Sequence, residues 1–338
     1  MTNELTHVFL LSVGAFLLAM FLTPIYTFFA YRYRFWKRQR SESTDGKKLE
    51  VFAKFQAAKL RRNIPTMAGV IGVISIFVVT IFFNLDRAQT WLPLAALVGG
   101  GIVGLIDDII NLRGLGGGAA GLRSPVKFAL ITLIGVVLGW FFFAKLGVAS
   151  FHVPFVGEVN IGWLIVPLFA FAVVATGNAV NISDGMDGLA GGLLGISFGA
   201  FGVIALLQQH VILAGFCFTV VGVLLSYLWF NIYPARFFMG DVGSFAYGAC
   251  LGVVAMLTDS LLLLPVIGLL FVIEAGSSLA QIVSKKLFKR KIFLSAPIHH
   301  HLEAIGWPET KVTMRFWVIG CVMAFIGVML ALAGGHIA

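Results

Sequence analysis

The sequence predicts an all-α, polytopic integral membrane protein of about ten transmembrane helices, with both termini on the periplasmic or extracellular side. Three observations carry that expectation. First, 59% of the 338 residues are hydrophobic and only 12% are charged, against about 45–50% and about 25% in soluble domains. The mean hydropathy is +0.97. Too few charges are present to cover a soluble chain of this length, and the same figures exclude disorder, a coiled coil and a secreted disulfide scaffold. Second, the apolar residues fall in runs near the ~20 residues that cross a bilayer as helix, too long for barrel strands. Third, the basic residues segregate to one side of those runs.

The runs lie at roughly 8–30, 67–83, 91–106, 126–144, 163–180, 189–207, 211–230, 244–258, 261–283 and 316–333, on the spacing rule for spanning helices. Ten spans leave alternate loops 31–66, 107–125, 181–188, 231–243 and 284–315 on one side. With Lys127 just inside the fourth run, these hold every Lys and Arg except Arg87 and Lys145. By the positive-inside rule they are cytoplasmic, in a single integral-membrane domain spanning 1–338. The net charge of +9 therefore belongs to that face, where it also suits anionic lipid headgroups. The basic loops contain no nucleic-acid recognition module, so no nucleic-acid partner is expected. The first run has an acid and no basic residue ahead of it, which predicts a retained helix rather than a cleaved signal peptide. Cys217, Cys250 and Cys321 sit far apart in apolar runs and read as buried small hydrophobes.

Fifteen acids are few enough that each position is informative. Glu4, Asp86, Glu158 and Asp259 read as ordinary solvated loop residues of the outer side, and Glu42, Asp45 and Glu50 as local partners of the first basic loop. Glu274 lies inside the ninth run. Asp107, Asp108, Asp184, Asp187 and Asp241 differ: each sits where a span meets a cytoplasmic loop, in an otherwise uncharged stretch. Adjacent carboxylates beside lipid repel unless a cation offsets them. The glycines around Asp184 and Asp187 let backbone approach a ligand. An acid such as Asp241 at a helix start is favoured by the helix dipole. Together, carboxylates at headgroup depth suit a hard divalent cation holding a phosphorylated ligand, with Mg²⁺ the natural choice. Zinc has no cysteine set or spaced histidine pair at these loops. His299, His300 and His301 cannot share one helix face, and they suit hydrogen bonding to phosphate or sugar. A transporter would place ionisable groups at mid-span, where only Glu274 qualifies.

The strings PTMAG (65–69), GLIDD (104–108), NAVNISDGMDGLAGG (178–192), FNIYPARFFMGDVGS (230–244) and APIHHHLEAIGW (296–307) occur in this order. Through them the chain resembles the polyprenyl-phosphate N-acetylhexosamine-1-phosphate transferase superfamily over nearly its whole length. The histidine string resembles that superfamily's muramoyl-pentapeptide branch. The resemblance implies transfer of phospho-N-acetylmuramoyl-pentapeptide from its UDP-linked donor to undecaprenyl phosphate, releasing UMP at the cytoplasmic face of the bacterial inner membrane. It also implies Mg²⁺ and a homodimer. A sister enzyme handling N-acetylglucosamine-1-phosphate is the alternative. Carried over by motif, Asp241 is the main metal ligand, and Asp107 and Asp108 flank the attacking phosphate. Asn181, Asp184 and Asp187 hold metal or nucleotide, with Asp184 and Asp187 as metal ligands beside Asp241. Asn231, Phe238 and Gly240 belong to the uridine and diphosphate pocket, and Thr66, Lys127, Gln281, His299, His300 and His301 face substrate. The chain departs from the family pattern at Arg61 and Asn111, where lysines are usual, and in the glycine-rich stretch 114–121.

Overall fold

The computed structural model describes residues 2–36, 63–114 and 121–335; Arg61, the acids of the first basic loop and most of the 114–121 stretch lie outside them. The helices are α1 (Thr2–Arg32), α2 (Gly69–Phe83), α3 (Trp91–Arg113), α4 (Ser124–Leu146), α5 (Ile165–Ser183), α6 (Leu189–Leu207), α7 (Val211–Asn231), α8 (Gly240–Leu257), α9 (Leu264–Ile267), α10 (Leu269–Phe288), α11 (Ile298–Ala304) and α12 (Glu309–Ala333). Each of the ten apolar runs falls on helix. Eight helices are long and apolar enough to cross a membrane alone, α2 is shorter at 15 residues, and α9 with its preceding 3-10 turn joins α10 at an 80° bend. Gly268 stands at that bend, so the expected continuous run 261–283 is broken there. Side chains such as Phe21 in α1 and Phe325 in α12 point outward at 70% and 69% exposure, a continuous apolar surface that requires lipid. The chain is a polytopic membrane protein.

Helix α8 is the axis of the bundle. Its apolar window is 94% buried, against 28% for α1, α4 and α12. Composition explains the position, because small residues let neighbouring backbones close in where lipid offers no hydrophobic driving force. A Cβ on Gly104 of α3 would lie 2.1 Å from the Asp241 carbonyl oxygen of α8, and one on Gly248 would lie 2.7 Å from Cα of Gly177 in α5. The helices α1, α6, α7 and α12 pack around a second apolar cluster that includes Phe198, Phe201 and Phe216.

Three expectations need correction. The chain is not purely helical: Ser150–Val153 (β1) and Gly157–Asn160 (β2) pair as an antiparallel hairpin, too short for its alternation to stand out. Cys321 is exposed, unlike Cys217 and Cys250, because α12 turns that face outward. Asp259 is not an ordinary solvated acid: it is half-buried and accepts the His152 N–H, whereas Glu158 is exposed as expected and faces His152 across the hairpin.

Candidate active site

The close approach at Gly104 decides where the acids lie. One turn beyond it, Asp107 and Asp108 end up beside Asp241 in the first turn of α8, and all three are buried at 2%, 1% and 6% exposure. Neighbouring positions on a helix point in different directions, and the two aspartates use that difference. Asp108 Oδ2 accepts the Val242 N–H at 3.0 Å, which locks it onto α8. Asp107 Oδ1 accepts the Leu122 N–H at 2.6 Å. Its other oxygen lies 3.0 Å from Lys127 Nζ, which donates to Asp241 Oδ2 at 2.7 Å. The same ammonium stands 5.1 Å over the Phe245 ring. One oxygen from each of Asp107, Asp108 and Asp241 lies within 4.8 Å of the others.

This donor set fits a hard divalent cation. All three ligands are carboxylate oxygens, and a hydroxyl oxygen lies close by. A Cβ on Gly240, whose φ is +75°, would lie 2.6 Å from Asp108 Oδ2 and 2.9 Å from Thr66 Oγ1. Only glycine takes that backbone and that space together. Thr66 Oγ1 is buried with no hydrogen-bond partner, a polar atom that a ligand at the aspartates can satisfy.

The NISDG turn sits between this centre and the histidines. Asn181 donates to Ser244 Oγ at 2.8 Å, tying the end of α5 to the first turn of α8. Asp184 caps α5 and is half-buried. Asp187 accepts the Ala235 N–H at 3.0 Å, while its own N–H donates to Glu309 Oε1 at 2.6 Å. Asn231 accepts the Gly188 N–H and donates to the Phe237 carbonyl, both at 2.9 Å. The Phe238 N–H donates to the Pro65 carbonyl at 2.8 Å, which places Thr66. Asp187, Asn231 and Phe238 thus clasp three loops together. The structure does not bring Asp184 or Asp187 into the carboxylate group around Asp241.

The histidines reach the same region from α11. A Cβ on Gly185 would lie 2.4 Å from His299 Nε2 and 3.4 Å from His300 Nε2, so both rings abut the NISDG backbone. His299 Nδ1 lies 2.7 Å from Glu274 Oε2, with both residues at 0% exposure. His300 pairs with Glu303 at 3.1 Å, and His301 Nδ1 accepts the Leu294 N–H at 3.3 Å. The three imidazoles therefore take three separate settings, as a shared helix face would not allow. Gln281 accepts the Ile292 and Phe293 N–H groups at 3.0 Å and donates to the Phe293 carbonyl; it shapes the loop that delivers α11.

Glu274 and Glu309 were missed as partners of the site. A lone carboxylate within an apolar helix is itself a functional signal, so Glu274 was findable. Glu309 reads as any helix-start acid, and only the fold aims it at Asp187. Asn111, one of the departures, is buried at the end of α3.

Residues 90–259 match the pattern of glycosyl transferase family 4, a stretch that runs from α3 through α8 and so contains all three aspartates. Three relatives bear the name phospho-N-acetylmuramoyl-pentapeptide-transferase. The protein from Chloroflexus aggregans is 38% identical, covering 99% of this chain and 92% of its own length. Those from Geobacillus thermodenitrificans and Oceanobacillus iheyensis are each 35% identical, covering 93% and 96% of this chain and 94% and 98% of their own. The chain belongs to the phospho-N-acetylmuramoyl-pentapeptide-transferase family. Coverage at this level includes α10 to α12, so the membership takes in the histidine loop as well as the aspartates. Transferase chemistry has the buried polar centre it needs at one end of α8.

Proposed function

We propose that the chain transfers phospho-N-acetylmuramoyl-pentapeptide from its UDP-linked donor to undecaprenyl phosphate, yielding the lipid-diphosphate product and UMP. The observation that carries this reading is the meeting of Asp107, Asp108, Asp241 and Lys127 in one group, with His299 and His300 against the NISDG turn. In the proposal the whole chain is one domain of ten spans with both termini outside. Its site opens on the cytoplasmic face of the bacterial inner membrane, and two copies form a homodimer.

An oxygen of the lipid phosphate attacks the β-phosphorus of the donor, and the bond from that phosphorus to the UMP oxygen breaks. Asp107, Asp108 and Asp241 would hold Mg²⁺, which neutralises developing diphosphate charge when bound. The remaining work belongs to the chain. Lys127, held between two carboxylates, has an ammonium whose hydrogen bonds can pass from them to incoming phosphate oxygens. A phosphomonoester has its second pKa at about 6, so its oxygen is already ionised near neutrality and positioning outweighs proton abstraction. Asp107 and Asp108 are each held by a backbone N–H, which suits fixed ligands; either takes the last proton where one remains. One-step attack is the preferred course over prior attack by Asp107 or Asp108 to give a covalent intermediate. Asn181, Asp184, Asp187, Asn231 and Gly240 frame the nucleotide, with Thr66 at the phosphates. His299 and His300 meet the sugar or its phosphate, with His301 and Gln281 shaping that wall.

The test is UMP release in detergent with Mg²⁺ and undecaprenyl phosphate, for the wild type and Asp107→Asn, Asp108→Asn and Asp241→Asn. Loss of about 10²-fold or more in each variant supports the centre; turnover within tenfold of wild type in all three refutes it.

A further inference from the structure

The end of α8 away from the aspartates holds a second ligand set that the transferase reading does not use. Helix α8 has 18 residues, which separates its ends by about 27 Å at 1.5 Å per residue. There the hairpin, the turn after α8 and the end of α12 converge. His152 of β1 and Glu158 of β2 are register partners across the hairpin, and His152 Nδ1 lies 3.8 Å from Glu158 Oε1. Asp259 completes the group: one ligand atom from each of the three lies within 4.8 Å of the others.

The tautomer of the neutral imidazole follows from its hydrogen bonds. His152 Nε2 lies 2.9 Å from the Gly334 carbonyl oxygen, which can only accept. The ring proton therefore sits on Nε2, and in the neutral ring Nδ1 turns its lone pair toward the carboxylates. A histidine that donates one ring N–H to a carbonyl and offers the other nitrogen is the usual arrangement of a metal-ligating histidine. Asp259 is fixed as well: its Oδ1 accepts the His152 backbone N–H at 2.9 Å. Glu158 and Asp259 also line a cavity of about 580 Å³ with Gln89 and His210, and no Lys or Arg is among its described lining residues. The cavity supplies both a route in and room for water at the remaining coordination positions.

We propose that His152 Nδ1 and the carboxylates of Glu158 and Asp259 form a binding site for a divalent transition-metal cation of the zinc type. One imidazole nitrogen with two carboxylate oxygens is a zinc-like donor set, while the three-carboxylate centre suits Mg²⁺. The bound cation clamps the hairpin to the α8 turn and, through Nε2, to the end of α12.

The test is zinc binding to the full-length protein in detergent, stripped with chelator and held in 10-fold excess Mg²⁺ to occupy the aspartate centre. Bound zinc is counted by equilibrium dialysis with elemental analysis, and thermal unfolding is followed in parallel. The expected result is one zinc per chain and a raised Tm for the wild type. Glu158→Gln, a change at an exposed position, weakens binding by about tenfold or more; His152→Gln does the same, and Asp241→Asn leaves it intact. Glu158→Gln keeps full UMP release. Zinc bound equally by wild type and Glu158→Gln overturns the proposal, as does no zinc bound at 100 µM. In either case the cluster is held by protons alone.

Discussion

Gly104→Ala tests whether the α3–α8 contact sets the geometry of the site. A Cβ at residue 104 would lie 2.1 Å from the Asp241 carbonyl oxygen, and ordinary contact begins at 3.4 Å. The neighbours are backbone atoms, which cannot rotate away, so α3 and α8 must part by more than 1 Å at this level. Asp107 and Asp108 lie within one turn of Gly104, and Val242 N–H to Asp108 Oδ2 spans the gap at 3.0 Å. A separation of ~1 Å at a catalytic constellation costs about 10²-fold in rate, and overpacking costs about 1–3 kcal/mol of stability. The prediction is a variant that still folds in detergent, with a Tm lowered by a few degrees, and with UMP release reduced about 100-fold. The Mg²⁺ needed for half-maximal rate rises as well. Turnover within threefold of wild type at unchanged Mg²⁺ demand would show that the aspartates are positioned by something other than this contact.

Glu274→Gln leaves His299 facing an amide instead of a carboxylate at 0% exposure. Loss of this buried hydrogen-bond partner costs about 1–3 kcal/mol, read as a lowered Tm; His299→Gln made in the Glu274→Gln background adds little further loss if the pair acts as one unit. Gln281→Ala removes three hydrogen bonds to residues 292 and 293, and should raise the donor KM through a loosened α11 while changing metal demand less than twofold. Asp259 supplies a pH prediction. Its folded pKa is raised to about 7 from 3.8, so the folded state holds the proton more tightly than the unfolded one. That contribution is complete below about pH 4 and is lost as pH rises through 7. In chelated protein, the Tm of the wild type relative to Asp259→Asn should therefore fall between pH 4 and pH 7 and level off above; a constant difference would count against it.

The apolar runs were legible because lipid imposes a simple rule, roughly twenty apolar residues per crossing; among the described residues eight helices satisfy it alone, and a ninth does if the bent pair counts as one span. The bend at Gly268 was not, since a run of leucines continues across it and only packing decides the direction. The hairpin was hidden for the opposite reason: four-residue strands give no periodicity to detect. At the site, aspartates in uncharged surroundings stood out as chemistry. What they do individually depended on distances that spacing along the chain does not contain. Asp187 looks as ligand-like as Asp241 in sequence; in the fold its carboxylate receives a backbone N–H from Ala235 and lies outside the carboxylate group around Asp241. Glu274 shows how a single carboxylate in an apolar helix acquires meaning only when a loop 25 residues later returns to it. Glu158 and Asp259 show the reverse, acids that seem idle until a short hairpin folds His152 against them.

The central claim is the identity of the reaction, and competing donors test it most directly. Purified wild-type protein with undecaprenyl phosphate and Mg²⁺ is offered UDP-N-acetylmuramoyl-pentapeptide and, separately, UDP-N-acetylglucosamine, with UMP release measured for each and Asp241→Asn as control. The account predicts turnover of the pentapeptide donor alone, abolished in the variant. Turnover of UDP-N-acetylglucosamine alone would contradict it and move the chain to a sister activity.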